Sequence, residues 1–132
     1  MKVTQIDHVA IAVRGLEQAA ADLARNFDLT PERGGEIPAL GIRNRFLPIG
    51  PSDLELIEPL SDQGPVAEFL QKNGEGVYLL SLRVDDLDGA VAELRAQGLR
   101  VSDPMPAGSG GRLAFVSPRG THGVNLQLIE RR

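Results

Sequence analysis

His8-Val9-Ala10-Ile11-Ala12-Val13 and Leu79-Leu80-Ser81-Leu82-Arg83-Val84 are the two stretches whose reading decides the fold. Apolar residues dominate or alternate through each, which predicts a β-strand. After the first, Leu16, Ala19, Ala20, Leu23 and Phe27 recur at three- and four-residue spacing, the pattern of an amphipathic helix. After the second, Leu87, Ala90, Val91 and Leu94 do the same. The two segments superpose without a gap at a constant offset of 71 residues: Val13 meets Val84, Leu16 meets Leu87, Ala19 meets Ala90 and Leu23 meets Leu94. The chain is written twice.

The later parts of each half repeat as well. Phe46-Leu47 resembles Phe115-Val116, each heading toward a Gly/Pro turn. Leu54-Glu55-Leu56-Ile57-Glu58 matches Leu126-Gln127-Leu128-Ile129-Glu130 with four of five residues identical. Each unit therefore reads strand–helix–strand–strand–strand, over about residues 4–60 and 75–131. A short helix at 65–72, with Pro65 near its first turn, joins them ahead of Gly74-Glu75-Gly76. A half-buried sheet cannot support itself, so two such units are expected to combine about a pseudo-twofold axis. The prediction is an α+β fold: two tandem βαβββ units forming one cleft within a single domain, 1–132. Equivalent positions then approach that cleft, His8 with Leu79 and Glu55 with Gln127. His8 and Glu55 are polar residues in otherwise apolar strands, and such groups need a ligand, metal, water or neighbour.

Composition narrows the chemistry. The 132 residues include no cysteine, no tryptophan and only two histidines, His8 and His122. Disulfide scaffolds, zinc fingers, iron–sulfur sites and thiol nucleophiles are excluded. A transition-metal site has at most two imidazoles to draw on. Net charge is −4, so no nucleic-acid partner is suggested, because that affinity comes from neutralising phosphates. No apolar run reaches the ~20 residues that span a bilayer. A soluble, cytoplasmic protein with no membrane partner is expected.

The order of the pieces resembles the vicinal oxygen chelate superfamily of glyoxalases, bleomycin-resistance proteins and extradiol dioxygenases, and within it the methylmalonyl-CoA epimerase family. The resemblance runs through Ile6-Asp7-His8-Val9-Ala10-Ile11-Ala12-Val13 and Leu54-Glu55-Leu56-Ile57-Glu58-Pro59-Leu60. It continues through Pro65-Val66-Ala67-Glu68-Phe69-Leu70, Gly74-Glu75-Gly76-Val77, Val84-Asp85-Asp86-Leu87, Gly110-Gly111 and Ala114-Phe115. It implies the glyoxalase fold, an acyl-CoA or small carboxylate as ligand, a homodimer, and a divalent metal (Co, Mn, Ni, Zn or Mg) held by four side chains. Its metal positions fall on His8, Glu55, Leu79 and Gln127. Two ligands are retained, one is softened to an amide, and Leu79 replaces an imidazole. Metal held by His8, Glu55 and Gln127 is therefore expected to bind weakly or not at all. The family's two proton-carrying carboxylates fall on Gln127 and Asn44, and an amide does not abstract a proton near neutral pH.

These substitutions leave three readings. One is an epimerase-like isomerase with altered chemistry, using Glu55 and His8 as the ionisable groups. One is a metal-free binding or sequestration protein of the bleomycin-resistance type. One is a different lyase or isomerase, with Glu55 or His8 as its base. In each, Asn44, Gln127 and Leu79 line the ligand, with His8 paired to Glu55. Arg112 follows a glycine-rich loop at 107–111 and is expected to add charge for an anion. His122, on a turn before the last strand, is read as exposed, or at the cleft rim where it would partly replace the missing imidazole. Arg43 and Arg45 are read as exposed or interface arginines.

Overall fold

A computed structural model describes residues 1–108 and 110–131. Eight strands and three helices follow in the order β1 (Val3–Ala12), α1 (Leu16–Phe27), β2 (Gly34–Ile37), β3 (Ile42–Ile49), β4 (Ser52–Pro59), α2 (Pro65–Asn73), β5 (Gly76–Val84), α3 (Leu87–Ala96), β6 (Met105–Pro106), β7 (Arg112–Val116) and β8 (Leu126–Glu130). The order strand–helix–strand–strand–strand thus occurs twice, as the repeat predicts. The predicted helices begin at Leu16, Pro65 and Leu87, where the structure starts them.

The chain divides into two compact units, Val9–Tyr78 and residues 1–8 with 79–132. These do not coincide with the sequence repeats, because β1 and β5 each run from one unit into the other. In Val9–Tyr78 the hydrogen-bonded strand order is β2-β3-β4-β1, and in the other it is β1-β5-β8-β7-β6. The helix at 65–73, expected only as a connector, is part of the first of these: Val66, Ala67 and Leu70 are buried, and Arg14 Nη2 donates to the Leu70 carbonyl at 3.2 Å.

Both cores are built from repeat-equivalent residues. Val13, Leu16, Ala20, Leu47 and Leu56 close one. Val84, Leu87, Ala90, Val91, Val116 and Leu128 belong to the other. The same equivalence explains how each helix starts. A first turn leaves backbone N–H groups without helical partners. Glu58 Oε1 accepts from Leu16 N at 3.1 Å, and Glu130 Oε1 accepts from Leu87 N at 2.9 Å. A carboxylate also suits the positive end of a helix. Arg43 pairs with Glu58 at 2.7 Å and Arg112 approaches Glu130 at 3.8 Å, so arginine, glutamate and helix start recur together. Arg43 is exposed, as expected, while holding this ion pair. Arg45 is likewise bound to Glu17 at 2.8 Å.

Edge strand β2 lies close against β3. A Cβ on Gly34 would collide with the carbonyl oxygen of Asn44, whereas one on Gly35 meets nothing within 4 Å. Gly34→Ala should therefore lower stability by about 1–3 kcal/mol through forced separation of the two strands. Gly35→Ala should stay within about 0.5 kcal/mol of the parent. Thermal unfolding of the two variants side by side checks this.

Candidate functional site

Polar side chains buried within apolar strands form three groups. Asp7, His8, Asn44, Glu55, Ser81 and Gln127 are the buried polar residues.

The first group centres on Asp7, which is only 1% exposed. Its Oδ1 accepts from Arg83 Nε at 3.0 Å, Arg83 Nη2 at 2.8 Å and Arg131 Nε at 3.1 Å. Its Oδ2 accepts from Arg131 Nη2 at 2.6 Å and lies 2.7 Å from His8 Nδ1. Burial alone would raise the Asp7 pKa. The hydrogen bonds from His8, Arg131 and Arg83, with the charge of Arg131, overcome that and hold it far below the usual carboxylate range. An ionised carboxylate only accepts, so Nδ1 of His8 carries the hydrogen of this bond. That fixes the ring orientation and makes Nε2 the basic nitrogen of the neutral ring.

The second group is in Val9–Tyr78. Register places Asn44 opposite Ile57 and Phe46 opposite Glu55, so Asn44 and Glu55 are diagonal neighbours on β3 and β4. Asn44 Nδ2 donates to Glu55 Oε2 at 2.8 Å, and Gly35 N donates to Asn44 Oδ1 at 3.1 Å. Two partners of opposite sense fix which way the amide points. The third group pairs β5 with β8, where Ser81 stands beside Gln127 in parallel register. Ser81 Oγ donates to Gln127 Oε1 at 2.8 Å, with Ser81 fully buried.

The other sequence candidates fall as follows. Leu79 is buried and aliphatic. Arg112 donates through Nη1 and Nη2 to Asp88, at 3.2 and 2.8 Å, besides its approach to Glu130. Its guanidinium is thereby engaged by carboxylates of the chain rather than presented bare to an anion. Of the glycine-rich loop, Ser109 lies outside the described residues. His122 is exposed on its turn with φ +57. His8 Nδ1 is bonded to Asp7, and Glu55 Oε2 to Asn44.

Asp7, Ser81, Arg83 and Arg131 carry no role in the sequence reading. One signal did exist for Asp7, an acid inside the strand motif beside His8. Its arginine partners lie 76 and 124 residues away, so nothing local announces them.

The side chains do not fit the metal centre the resemblance implies. Leu79 has no lone pair to offer, and an amide such as Gln127 is a weak ligand beside a carboxylate. No group of three or more His, Cys, Asp or Glu able to hold a metal ion occurs among the described residues. The arrangement offers ionisable groups at His8 and Glu55, an amide held in fixed orientation at Asn44, and a second amide at Gln127. Amides of this kind donate to and accept from a carbonyl or carboxylate without moving a proton.

Comparison with known proteins agrees with this fold. Residues 7–115 match the model of the Glyoxalase/Bleomycin resistance protein/Dioxygenase superfamily, and the chain belongs to that superfamily. Among its relatives is the mitochondrial methylmalonyl-CoA epimerase of Homo sapiens, 32% identical over 127 residues, covering 94% of this chain and 72% of the relative. The crystal structure of methylmalonyl-CoA epimerase from Mycobacterium tuberculosis superposes with a TM-score of 0.94 at 30% identity, covering 98% of this chain and 89% of that one. A Glu-to-Gln variant of Streptomyces coelicolor methylmalonyl-CoA epimerase, in complex with 2-nitronate-propionyl-CoA, gives a TM-score of 0.94 at 30% identity, covering 98% and 99%. No helix among the described residues is long and apolar enough to cross a membrane.

Proposed function

We propose that this chain binds an acyl-CoA or a related small carboxylate, with amides at Asn44 and Gln127 in place of the proton carriers of an epimerase. The observation that carries this reading is the orientation of Asn44, whose Oδ1 is held by Gly35 and whose Nδ2 gives one of its two hydrogens to Glu55, leaving the other for a ligand. Gln127 is engaged at one atom, its Oε1 accepting from Ser81 Oγ. Amides keep the shape and hydrogen bonding of the carboxylates they stand for and lose their acid–base chemistry. The Streptomyces relative supports the idea that binding survives such a change, since its Glu-to-Gln variant was obtained with an acyl-CoA analogue bound. His8 and Glu55 are the ionisable groups left for any isomerase or lyase chemistry. Weak or no binding of divalent metal belongs to the same reading, as do a homodimer and a cytoplasmic location. Elemental analysis and light scattering test the first two.

Calorimetric titration with methylmalonyl-CoA and propionyl-CoA, together with deuterium wash-in at the acidic carbon with added cobalt, tests the reading as a whole. Saturable binding without exchange above the uncatalysed rate is expected. Loss of a positioned acid or base costs about 10²–10⁴-fold, so absence of both should bring exchange down to background. Failure of every acyl-CoA to bind, or rapid exchange by the unaltered chain, would overturn it.

A further inference from the structure

The arginines of this acidic chain are spent almost without exception. Arg25, Arg33, Arg43, Arg45, Arg83, Arg95, Arg112 and Arg131 each meet a carboxylate, and Arg14 meets a backbone carbonyl. Among the described residues, Arg100 and Arg119 alone have guanidinium groups with no partner. Both belong to one place. Arg100 lines a depression of about 360 Å³, bounded by residues 100–102, residues 115–118 and Asn125. Arg119 follows directly in the chain from Pro118 of that lining.

Two hydroxyls face the same depression. Ser102 Oγ accepts from Phe115 N at 2.8 Å, and Ser117 Oγ accepts from Arg119 N at 3.4 Å. Each oxygen is thus used as an acceptor, which leaves the hydroxyl hydrogen to donate. Neither O–H has a protein acceptor among the described residues. The backbone holds the two hydroxyls in place, because Ser102 N donates to the Phe115 carbonyl and Ser117 N to the Arg100 carbonyl, both at 2.9 Å. Phe115 and Pro118 supply its apolar surface, with Asn125 beside them, while the side chains of Val101 and Val116 are buried in the core.

We infer that this depression is a phosphate-ester subsite, with Arg100 as its charged anchor, Ser102 and Ser117 as neutral donors, and the apolar lining for the organic part of the ligand. A guanidinium with adjacent hydroxyl donors matches the several acceptor oxygens of a phosphate. Uncompensated positive charge in a chain of net charge −4 selects an anion. Phe115 is the register partner of Gln127, so the depression adjoins that residue, but Arg100, Ser102 and Ser117 take no part in the Asp7, Asn44 or Gln127 groups, and phosphate binding here is tested apart from acyl-CoA binding.

The test is a ¹H–¹⁵N NMR titration of the full chain with inorganic phosphate, then with adenosine 3′,5′-bisphosphate, at constant ionic strength. Shifts should concentrate at residues 100–102 and 115–118. Arg100→Gln should weaken binding by about tenfold, the loss expected when one charged hydrogen-bonding partner is removed. Arg100→Lys should recover part of it. Arg25→Gln, which removes an exposed arginine elsewhere, should leave affinity unchanged. Tighter binding of the bisphosphate than of phosphate assigns the site to a nucleotide-type ligand, and equal binding to a free phosphate or small ester. Shifts scattered over the charged surface, equal binding of propionate, or affinity undiminished in Arg100→Gln would each overturn the inference.

Discussion

Asp7→Ala should lower the melting temperature by roughly 10–15 °C, a loss of about 3 kcal/mol at the few degrees per kcal/mol expected of a domain this size. The reason is what stays behind. Asp7 is 1% exposed and accepts from two arginines and a histidine. Removing it leaves the Arg131 side chain, itself 16% exposed, without its carboxylate. Removing one partner of a buried pair costs more than the pair contributes, because the other charge is left desolvated. Arg83 is 36% exposed and regains water, so its share is screened and the lower part of the usual range applies. Asp7→Asn should fall between, since the amide oxygen still accepts one of these bonds.

Acid should reveal the same group. The Asp7 pKa is depressed in the folded chain relative to 3.8. A depressed acid stabilises fully above the unfolded value, and the contribution is lost as pH falls toward the folded one. The stability difference between the parent and Asp7→Asn should therefore be constant from pH 7 to about 5 and shrink steadily below about pH 4. Chemical denaturation across that range measures it. A difference that grows on acidification would show that Asp7 is not the ionised centre of this group.

The contrast between Asp7 and the repeat shows what is legible in a sequence. Periodicity and a constant offset locate elements, because helix and strand repeats are local and the core uses the same positions twice. Val13 and Val84, Leu16 and Leu87, Leu56 and Leu128 were readable in this way. The polar groups are a matter of register, which is not local. Arg43 is exposed, as its place on β3 suggests, but only the β3–β4 pairing shows that it stands opposite Glu58. The identity of Glu58 and Glu130 within the repeated segment was visible, but its cause, a carboxylate on the first turn of α1 and of α3, needed the fold. Arg112 likewise reads as a free cation beside a glycine-rich loop until α3 brings Asp88 against it. The candidate site residues were named largely from resemblance. What the structure adds is which bonds hold each of them.

Those bonds make the second large effect calculable. Asn44→Asp combined with Gln127→Glu should raise deuterium wash-in at the acidic carbon of methylmalonyl-CoA by about 10²-fold over the unaltered chain, the lower end of what positioned acid–base groups supply. Both replacements keep the existing geometry. Gly35 N can still donate to the carboxylate introduced at position 44, and Ser81 Oγ to the one introduced at position 127. At position 44 the bond from Nδ2 to Glu55 is lost, and two carboxylates then face each other where donor and acceptor now stand 2.8 Å apart. Like charges so placed cannot both ionise at neutral pH, so one proton is retained between them. The single Asn44→Asp variant should therefore be less stable at pH 7 by about 1–3 kcal/mol and recover part of that loss on mild acidification. With Leu79 in place of an imidazole, the enolate oxygen lacks the electrostatic support that a metal gives it in the related family, which holds the gain at the lower end. Each single variant should give much less than the double, because removing and returning the proton need a group on each side. Wash-in by the unaltered chain equal to that of the double variant would show that Asn44 and Gln127 are not the limiting positions, and would move the acid–base role to Glu55 and His8.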